Sequence, residues 1–401
     1  MSDTGRGSRA ATWRPGTYDV VVIGARVAGA ATAMLLARRG FSVLMIDRAP
    51  RGADTTSTHT VLRSGTLQLK RWGLLDRVEA AGVPPIRRVV LGFGSDLIPI
   101  DLSDSYGVDA LYAPRRTVLD PILVAAAEEA GVEYVDRCRA KSVMTDGNGG
   151  VDGVVIDVGG QELTIPAKMV VGADGAWSRI AGWVGAETYS RFEPTNSVYY
   201  AYYRGIETDG VYFQFTPGVT AGLIPTNDGL VCVYGGWHVD DNDEYRSNPE
   251  EVFTRRVGSA HPQLKRALDG GSRVSQFRGT PGLPGFLRDP GGPGWALVGD
   301  AGYTKDPVSA HGISDALRDA ELCAGAVEVA LTDRSETARA FDNYRRTRDG
   351  LSQAMLAHSA ELAAYEWDEA RASTLMREIS SLVQEECDAI VSGIGMPIPV
   401  V

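Results

Sequence analysis

The sequence lacks the cysteine patterns of a metal-binding or disulfide-bonded protein. Its 401 residues include only four cysteines, which lie far apart and form no C-x-x-C or cysteine–histidine motif. This spacing excludes the common zinc sites and a paired redox disulfide. We therefore expect a reduced, cytoplasmic protein with free thiols and no metal site. The four cysteines are Cys138, Cys232, Cys323 and Cys387.

Long apolar runs and clusters of basic residues are also missing. No stretch reaches the roughly 18 consecutive apolar residues that a membrane-spanning helix needs. The formal net charge is −11, and no basic cluster is interleaved with aromatic residues, which argues against a nucleic-acid partner. Residues 1–16 are rich in Ser, Gly and Arg and have no apolar core. We expect them to form a disordered leader and not a signal peptide.

A βαβ pattern follows this leader. Tyr18–Ile23 is a continuous apolar run with β-branched residues, which is typical of a buried parallel strand. Ala28–Arg39 carries helix-forming residues and stops at Gly40, and Phe41–Ile46 is a second apolar strand. This order predicts a dinucleotide-binding unit. A chain of this length suits two interlocking domains.

The rest of the chain alternates between helical and strand patterns. Strands rich in Tyr, Phe and Trp are predicted between residues 197 and 239, and helices from 332 to about 392. Ser314 is placed to cap a helix. Three neighbouring arginines in the last region are predicted to form a solvated helical face; they are Arg345, Arg346 and Arg348. Other predicted elements are helices at Leu67–Ala81, Leu119–Ala130 and Ser314–Leu331 and a hairpin at Arg88–Ile100.

The first candidate site is the turn Gly24–Gly29, with the sequence GARVAG, between the first strand and helix. Gly24 permits a tight turn, and Gly29 permits close packing of the helix on the strand. The helix N-terminus then offers free N–H groups to a pyrophosphate. Arg26 replaces the usual middle glycine, and its guanidinium is expected to offset phosphate charge. Asp47 ends the second strand, where a carboxylate binds ribose hydroxyls.

Two more turns follow apolar strands. The first carries an Asp-Gly pair at Asp174 and Gly175, and by itself this pattern also fits a type I′ turn beside a solvated arginine. The second ends a strand at Gly299-Asp300 and is followed by Pro307. The helix start beyond it is expected to aim backbone N–H groups at an anion.

Together, the three sites resemble those of the group A flavoprotein monooxygenases, the p-hydroxybenzoate hydroxylase type. The likeness covers about residues 17–330, with the dinucleotide fingerprint, the D-G motif and the G-D motif in the family's order. The spacing from Gly299-Asp300 to Pro307 and Gly312 is the family's, and an R-x-x-L signature begins at Arg116. Tyr303 and His311 depart from the pattern, because most members have His and Gln there.

The resemblance implies FAD as the cofactor and NAD(P)H as a transient cosubstrate. It implies that Asp47 and Arg116 contact the nucleotide, that Asp174 supports both FAD and NAD(P)H, and that Asp300 binds the ribityl chain. Gly312 and Ile313 would then lie beside the flavin ring, whose reduced N1/O2 edge is an anion that suits a helix N-terminus. The predicted cofactor-binding residues are Gly24, Arg26, Gly29, Asp47, Arg48, Arg116, Asp174, Gly299, Asp300, Pro307, Gly312 and Ile313.

The fold that the resemblance implies is α/β. A Rossmann-like FAD-binding domain would be discontinuous, and a β-sheet substrate domain would be interleaved with it. The implied reaction is hydride transfer to FAD, capture of O2 as a C4a-hydroperoxyflavin and oxygenation of a small aromatic or polyketide-like molecule by a monomer or homodimer. The predicted boundaries are 17–85, 103–187 and 280–345 for the FAD-binding domain, 86–102 and 188–279 for the substrate domain, and 346–401 for a C-terminal helical segment.

Candidate catalytic residues fall in the polar segment 54–65, which approaches the flavin ring in the family. His59 is a candidate acid or base, although a solvated loop histidine fits as well, and Arg63 is a second candidate. The aromatic strands would form an apolar lid over a flat substrate, although for any single aromatic residue ordinary core packing is the better explanation.

Three other functions remain open at this point. A flavin-dependent reductase of the geranylgeranyl reductase kind uses the same fold, and a non-catalytic nucleotide-binding protein would share the fingerprint. A flavin-dependent halogenase is a weaker alternative, since only the last two positions of its W-x-W-x-I-P signature occur, at Ile224 and Pro225. A disulfide reductase is excluded because the chain has neither a redox cysteine pair nor a second nucleotide fingerprint.

Overall fold

The computed structural model describes residues 16–394, so nearly all of the predicted leader and the last seven residues lie outside it. Within this range no helix has the length and apolar character required to cross a membrane. The strands in chain order are β1 Tyr18–Ile23, β2 Val43–Ile46, β3 Arg88–Phe93, β4 Asp96–Asp101, β5 Glu133–Val135, β6 Cys138–Thr145, β7 Val151–Val158, β8 Gln161–Gly172, β9 Thr188–Phe192, β10 Asn196–Arg204, β11 Val211–Thr216, β12 Val219–Pro225, β13 Leu230–His238, β14 Ser272–Arg273, β15 Arg278–Thr280, β16 Gly285–Arg288, β17 Gly291–Gly292, β18 Trp295–Leu297 and β19 Tyr303–Thr304.

Helices cover the faces of the sheets that these strands form. Most of the long helices come from the two ends of the chain, whereas three shorter ones follow the aromatic strands. The helices are α1 Val27–Arg38, α2 Arg63–Arg71, α3 Leu75–Ala80, α4 Arg116–Glu129, α5 Arg179–Trp183, α6 Asn242–Ser247, α7 Pro249–Ala260, α8 Pro262–Gly270, α9 Gly312–Thr332, α10 Thr337–Ala364 and α11 Glu369–Ser392.

The first sheet has a parallel core in the order β18-β8-β1-β2-β5. Its strands are apolar throughout because both faces are covered. One face, which includes Val20 and Val22, packs against α1, α4 and α9. The other face, which includes Val21, packs against the antiparallel extension β6-β7-β8. This is the predicted α/β architecture with a Rossmann-like domain. Because β8, β1 and β18 run in the same direction, their carboxyl ends meet at one edge.

The second sheet has the order β14-β10-β13-β12-β11-β3-β4, with β15 also paired to β10. Alternate aromatic side chains point to opposite faces, as a strand requires. Tyr200 and Tyr202 pack towards α10 and α11, whereas Tyr199 and Tyr203 pack towards α7 and α8. Helices therefore cover both faces, and these aromatic side chains are core residues.

Several elements differ from the sequence prediction. The helix expected at Leu67–Ala81 is split into α2 and α3 by a turn at Gly73, whose φ is +72°. Helix α9 begins at Gly312 and not at Ser314, so Ser314 does not cap it. Instead, the Ser314 hydroxyl accepts a hydrogen bond from the Leu62 amide at 3.2 Å.

Arg348 does not belong to a solvated face. Its side chain is fully buried and donates hydrogen bonds to the Tyr189 hydroxyl at 2.6 Å and to the Arg288 carbonyl at 2.8 Å. Arg346, by contrast, is exposed, as predicted. The difference follows from their positions on α10, because Arg348 lies on the side of the helix that packs against the small sheet β19-β16-β9.

Candidate functional site

The turns of all three motifs line one cleft of about 570 Å³ at the carboxyl edge of the first sheet. Gly24 follows β1, Asp174 follows β8 and Asp300 follows β18, and each lines this cleft. Ligands of open α/β sheets bind outside the carboxyl ends of the strands. The three motifs therefore form a single binding site, although more than 270 residues of chain separate the first from the last.

Glycine is required where these turns touch one another. Gly24 has a φ of +110°, and a Cβ there would lie 2.3 Å from the Ala173 carbonyl oxygen. A Cβ on Gly29 would lie 1.8 Å from the Gly24 carbonyl oxygen, and a Cβ on Gly299 would lie 2.6 Å from the Ala28 Cβ. Real side chains cannot approach so closely, so the glycines let the three motifs come together.

A carboxylate ties the first turn to the second strand. Asp47 accepts hydrogen bonds from the Ala25 amide and the Ala49 amide, each at 2.8 Å. It lines the cleft beside Arg48. Asp47 thus holds the backbone of the fingerprint in place, and it lies where the ribose of a bound dinucleotide is expected.

Two arginines bring positive charge to the N-terminus of α1. Arg26 occupies the N-cap position, and Arg116 lines the same cleft. Burial lowers the pKa of Arg26, and the positive charge of Arg116 lowers it further. Arg116 donates a hydrogen bond to Asp120 at 2.8 Å. Three guanidinium groups, those of Arg26, Arg48 and Arg116, thus face the two carboxylates of Asp47 and Asp120, which leaves one excess positive charge that suits a pyrophosphate.

Asp174 stabilises the second turn. It accepts hydrogen bonds from the Ser178 hydroxyl at 2.5 Å and from the amides of Arg179 at 2.8 Å and Ile180 at 3.3 Å. Both carboxylate oxygens are therefore used within the protein, at the start of α5. The turn also presents Trp177, which lines the cleft although its side chain is largely exposed.

Asp300, in contrast, offers its carboxylate to the cleft. The side chain is exposed there, and no hydrogen bond to it is formed within residues 16–394. Enclosure by the protein raises the pKa of Asp300, while the nearby charges of Lys305 and Arg116 oppose that rise. A carboxylate acceptor without a protein partner suits a ligand that carries hydroxyl groups, such as a ribityl chain.

The last part of the cleft wall leads into α9. Asp306 accepts a hydrogen bond from the Val308 amide at 2.9 Å and so caps the turn Pro307–Ser309. Gly312 and Ile313 begin α9 and line the cleft. The first N–H groups of this helix have no partner within the helix and carry partial positive charge, so they suit a position beside an electron-rich ring.

A cluster of buried charges behind this wall was not predicted. Lys305 and Asp315 line the cleft and form an ion pair with each other. His311 lies 3.0 Å from Asp315 and 2.8 Å from Glu386, measured between ring nitrogens and carboxylate oxygens. Arg318 adds a second cation, 3.1 Å from Asp315. Burial lowers the pKa of Lys305 to about 7, with a further contribution from Arg318.

The same cluster has the residue types of a metal site, since ligand atoms of His311, Asp315 and Glu386 all lie within 4.8 Å of one another. However, Lys305 and Arg318 already neutralise these carboxylates. The arrangement is therefore an ion-pair network that ties α11 to the cleft. The unusual residues at Tyr303 and His311 were the sequence signal for it, since both are buried beside Arg318.

The two candidate catalytic residues have different environments. His59 lines the cleft and is 1% exposed, and burial, followed by the charges of Arg116, Arg115 and Arg278, lowers its pKa to about 3. Arg63 is the first residue of α2, and it donates hydrogen bonds to the carbonyls of Ser103 at 3.1 Å and Val108 at 2.6 Å. Arg63 is not among the residues that line the cleft. The geometry thus brings only His59 to the cleft.

These features define a flavin-nucleotide-binding protein with a Rossmann-like domain. The family model described as "FAD binding domain" matches residues 17–359. The chain therefore belongs to this family of p-hydroxybenzoate hydroxylase-type, group A flavoproteins. FAD is confirmed as its cofactor, and the glycine-lined turns, the excess positive charge and the unpaired Asp300 fit that nucleotide.

Curated relatives and solved structures cover most of the chain. The chain is 28% identical to digeranylgeranylglycerophospholipid reductase 1 of Methanococcoides burtonii, over 80% of this chain and 77% of the relative. It is 26% identical to a 1H-pyrrole-2-carbonyl-[peptidyl-carrier protein] brominase of Pseudoalteromonas luteoviolacea, over 88% of this chain and 86% of that relative. A probable FAD-dependent monooxygenase from Pseudomonas aeruginosa has a TM-score of 0.78 at 19% identity, over 91% of this chain and 100% of that one. This last likeness shows the fold.

Proposed function

We propose that the protein is an FAD-dependent monooxygenase that uses NAD(P)H and O2 to oxygenate a small aromatic or polyketide-like molecule. The observation that carries the proposal is the convergence of the three motifs on one cleft, which continues to the junction with the second sheet. Leu283 and the segment Thr55–Thr60 form that end of the cleft. A substrate that enters there would meet the flavin ring beside the start of α9.

The electrons must come from and go to diffusible molecules. All four cysteines are buried. Cys138 is the one that lines the cleft, and burial raises its pKa to about 12. A thiol in this state is not a redox partner for a flavin. NAD(P)H as donor and O2 as acceptor satisfy this requirement, and the single nucleotide fingerprint implies that NAD(P)H binds only transiently.

The chain's own residues would bind and orient the cofactor. FAD supplies the two-electron redox chemistry and the reaction with oxygen. Arg26 and Arg116 would neutralise its phosphates, and Asp300 would accept hydrogen bonds from its ribityl hydroxyls. The N-terminus of α9 would stabilise negative charge on the reduced ring. The buried segment around His59 would exclude water from the ring, so that the redox chemistry supplied by FAD takes place away from bulk solvent.

A flavin-dependent reductase is the second candidate. The observation in its favour is that three curated relatives named digeranylgeranylglycerophospholipid reductases match the chain at 24–28% identity over 80–84% of its length. Such an enzyme would saturate a double bond and would not require oxygen as a substrate. The fold and the cleft serve both reactions equally.

Oxygen dependence separates the two candidates. We would screen phenolic and polyketide-like aromatic compounds for stimulated NAD(P)H oxidation, in air and under argon, and measure product masses. A monooxygenase gives a product heavier by one oxygen atom only in air. A product heavier by two hydrogen atoms under argon would contradict the proposal and identify a reductase. A halogenated product in the presence of bromide or chloride would contradict it and identify a halogenase.

A further inference from the structure

His59 has a strained backbone at the edge of the cleft. Its φ is +70°, in the left-handed region that residues other than glycine seldom adopt. The next residues are fixed to the start of α9, because the Leu62 amide donates to Ser314 and the Ser64 hydroxyl lies 3.3 Å from a His311 ring nitrogen. Strained residues that the surrounding structure holds in place are concentrated at functional sites.

The imidazole ring is held by the second sheet. It stacks on Tyr202, with 5.7 Å between the ring centroids and 11° between the planes, and Tyr200 lies edge-on at 6.1 Å. The Nε2 atom is hydrogen-bonded to the Tyr202 hydroxyl. The guanidinium of Arg115 lies over the Tyr202 ring, 4.6 Å from its centroid. The ring orientation of His59 is therefore determined by β10.

Burial keeps both rings of this pair neutral, and the surrounding arginines add to that effect for His59. Arg115 and Arg116 approach from the start of α4 and Arg278 from β15, whereas Asp54 is already paired with Arg278 at 2.6 Å. Burial and these arginines lower the pKa of His59, and burial raises the pKa of Tyr202. Tyr202 thus keeps its proton, and because its hydroxyl has no other hydrogen-bond partner within residues 16–394, that proton is best used in a hydrogen bond to Nε2.

The proton of the neutral imidazole then resides on Nδ1. Nδ1 is buried and has no hydrogen-bond partner within residues 16–394. Buried donors in native proteins are nearly always paired. Since His59 lines the cleft, the missing acceptor is best supplied by the molecule that fills the cleft.

We propose that His59, fixed by Tyr202 as the Nδ1–H tautomer, is a neutral hydrogen-bond donor to the flavin ring of bound FAD. The polar edge of that ring carries carbonyl oxygens and an imine-type nitrogen, which are acceptors. His59 is then a positioning residue that tunes the ring and does not act as a base. The proposal rests on FAD binding and is independent of whether the reaction is oxygenation or reduction.

The tautomer is tested by ¹⁵N NMR of protein labelled at its five histidines, with the His59 signals assigned by their absence in His59→Gln. We expect a protonated Nδ1 and an unprotonated Nε2 that do not change between pH 5.5 and 8.5. Tyr202→Phe should mix the tautomers, whereas the control Tyr200→Phe should not, because the Tyr200 hydroxyl accepts from the Ser57 amide instead. A protonated Nε2 in the wild type, or titration in this range, would overturn the proposal.

The contact with FAD is tested by the midpoint potential of the bound flavin and by FAD affinity. The amide nitrogen of Asn overlies Nδ1, whereas that of Gln overlies Nε2, so His59→Asn keeps the donor and His59→Gln removes it. We expect His59→Gln to lower the potential and weaken FAD binding by roughly 2- to 10-fold, and His59→Asn to stay near the wild type. Equal effects of the two substitutions would overturn the contact. Neither measurement requires a substrate, so its failure would leave the proposed reaction untouched.

Discussion

Asp300 has the simplest predicted role of any side chain in the cleft. It is exposed to the ligand and has no hydrogen-bond donor from the protein within residues 16–394. Asp300→Ala removes a charged acceptor, which is worth about 1.5–3 kcal/mol, so FAD affinity should fall roughly 10- to 150-fold. Fluorescence titration of the apoprotein with FAD measures this change. The exposed carboxylate of Asp240, outside the cleft, provides the control Asp240→Ala, and an equal affinity of both variants would refute the role of Asp300.

Gly29 should tolerate no side chain. A valine there would place its Cβ 1.8 Å from the Gly24 carbonyl oxygen, so α1 must move away from the turn that we propose binds the pyrophosphate. We expect Gly29→Val to lose FAD affinity and to lower the free energy of unfolding by at least about 1–3 kcal/mol. Chemical denaturation and FAD titration measure the two effects.

The matched control is Gly325→Ala on α9. Gly325 also lies inside a helix, but a Cβ there meets no atom within 4 Å. This substitution should leave FAD binding unchanged and raise stability by roughly 0.5–1 kcal/mol. If Gly29→Val bound FAD as tightly as Gly325→Ala, the close approach of helix and turn would not matter for binding.

The sequence reveals residues whose role depends on local geometry but not those whose role depends on distant partners. Gly24 and Gly299 were identifiable because each follows an apolar strand, and a turn with positive φ favours glycine. The environment of Arg348 was not identifiable, because its partners Tyr189 and Arg288 are 159 and 60 residues away. The tautomer proposed for His59 likewise depends on Tyr202, which is 143 residues away.

Among the elements, α11 should be the most sensitive to pH. Burial alone would raise the pKa of Glu386, but His311 and Arg318 outweigh burial and lower it to about 2, from an ordinary value of 4.5. The folded-state pKa is therefore below the unfolded one. The resulting stabilisation is complete above about pH 4.5 and is lost as the pH falls towards 2.

Glu386→Gln should remove this pH dependence. It also removes one buried acceptor from His311 and Arg318, which keep Asp315 as a partner, so the free energy of unfolding at pH 7 should fall by about 1–3 kcal/mol. The neighbouring Glu385 is exposed, and Glu385→Gln provides the control. Denaturant unfolding between pH 3 and 7 measures both effects. Parallel pH profiles for wild type and Glu386→Gln would show that the ion-pair network contributes nothing.

Elements with a strong internal pattern were predictable, and those defined by long-range pairing were not. The opening βαβ unit was predicted correctly, because its apolar runs, its helix-forming residues and the helix-ending Gly40 all lie close together in the sequence and indicate the same structure. The parallel pairing of β3 with β11, in which Val89 is the register partner of Val211, leaves no local signal in the sequence of either strand. Helices α7 and α8 were missed although Pro249 and Pro262 stand at their first positions, which is a recognised helix-start signal.

At the scale of the whole molecule, FAD should link three distant segments of the chain. The first, second and third motifs lie on separate strands that are held together by the sheet and by contacts between glycine-containing turns. A ligand that contacts all three binds only the folded state, so it raises stability by about 2.7 kcal/mol at 100 times its Kd. We expect the melting temperature of the apoprotein to rise with FAD concentration and the two large sheets to unfold together. FMN lacks the adenosine that we propose Asp47 binds, so it should raise the melting temperature less at equal concentration. Equal stabilisation by FMN and FAD would show that only the ring end of the cleft is occupied, and a melting temperature independent of both would contradict the convergence of the three motifs on one nucleotide.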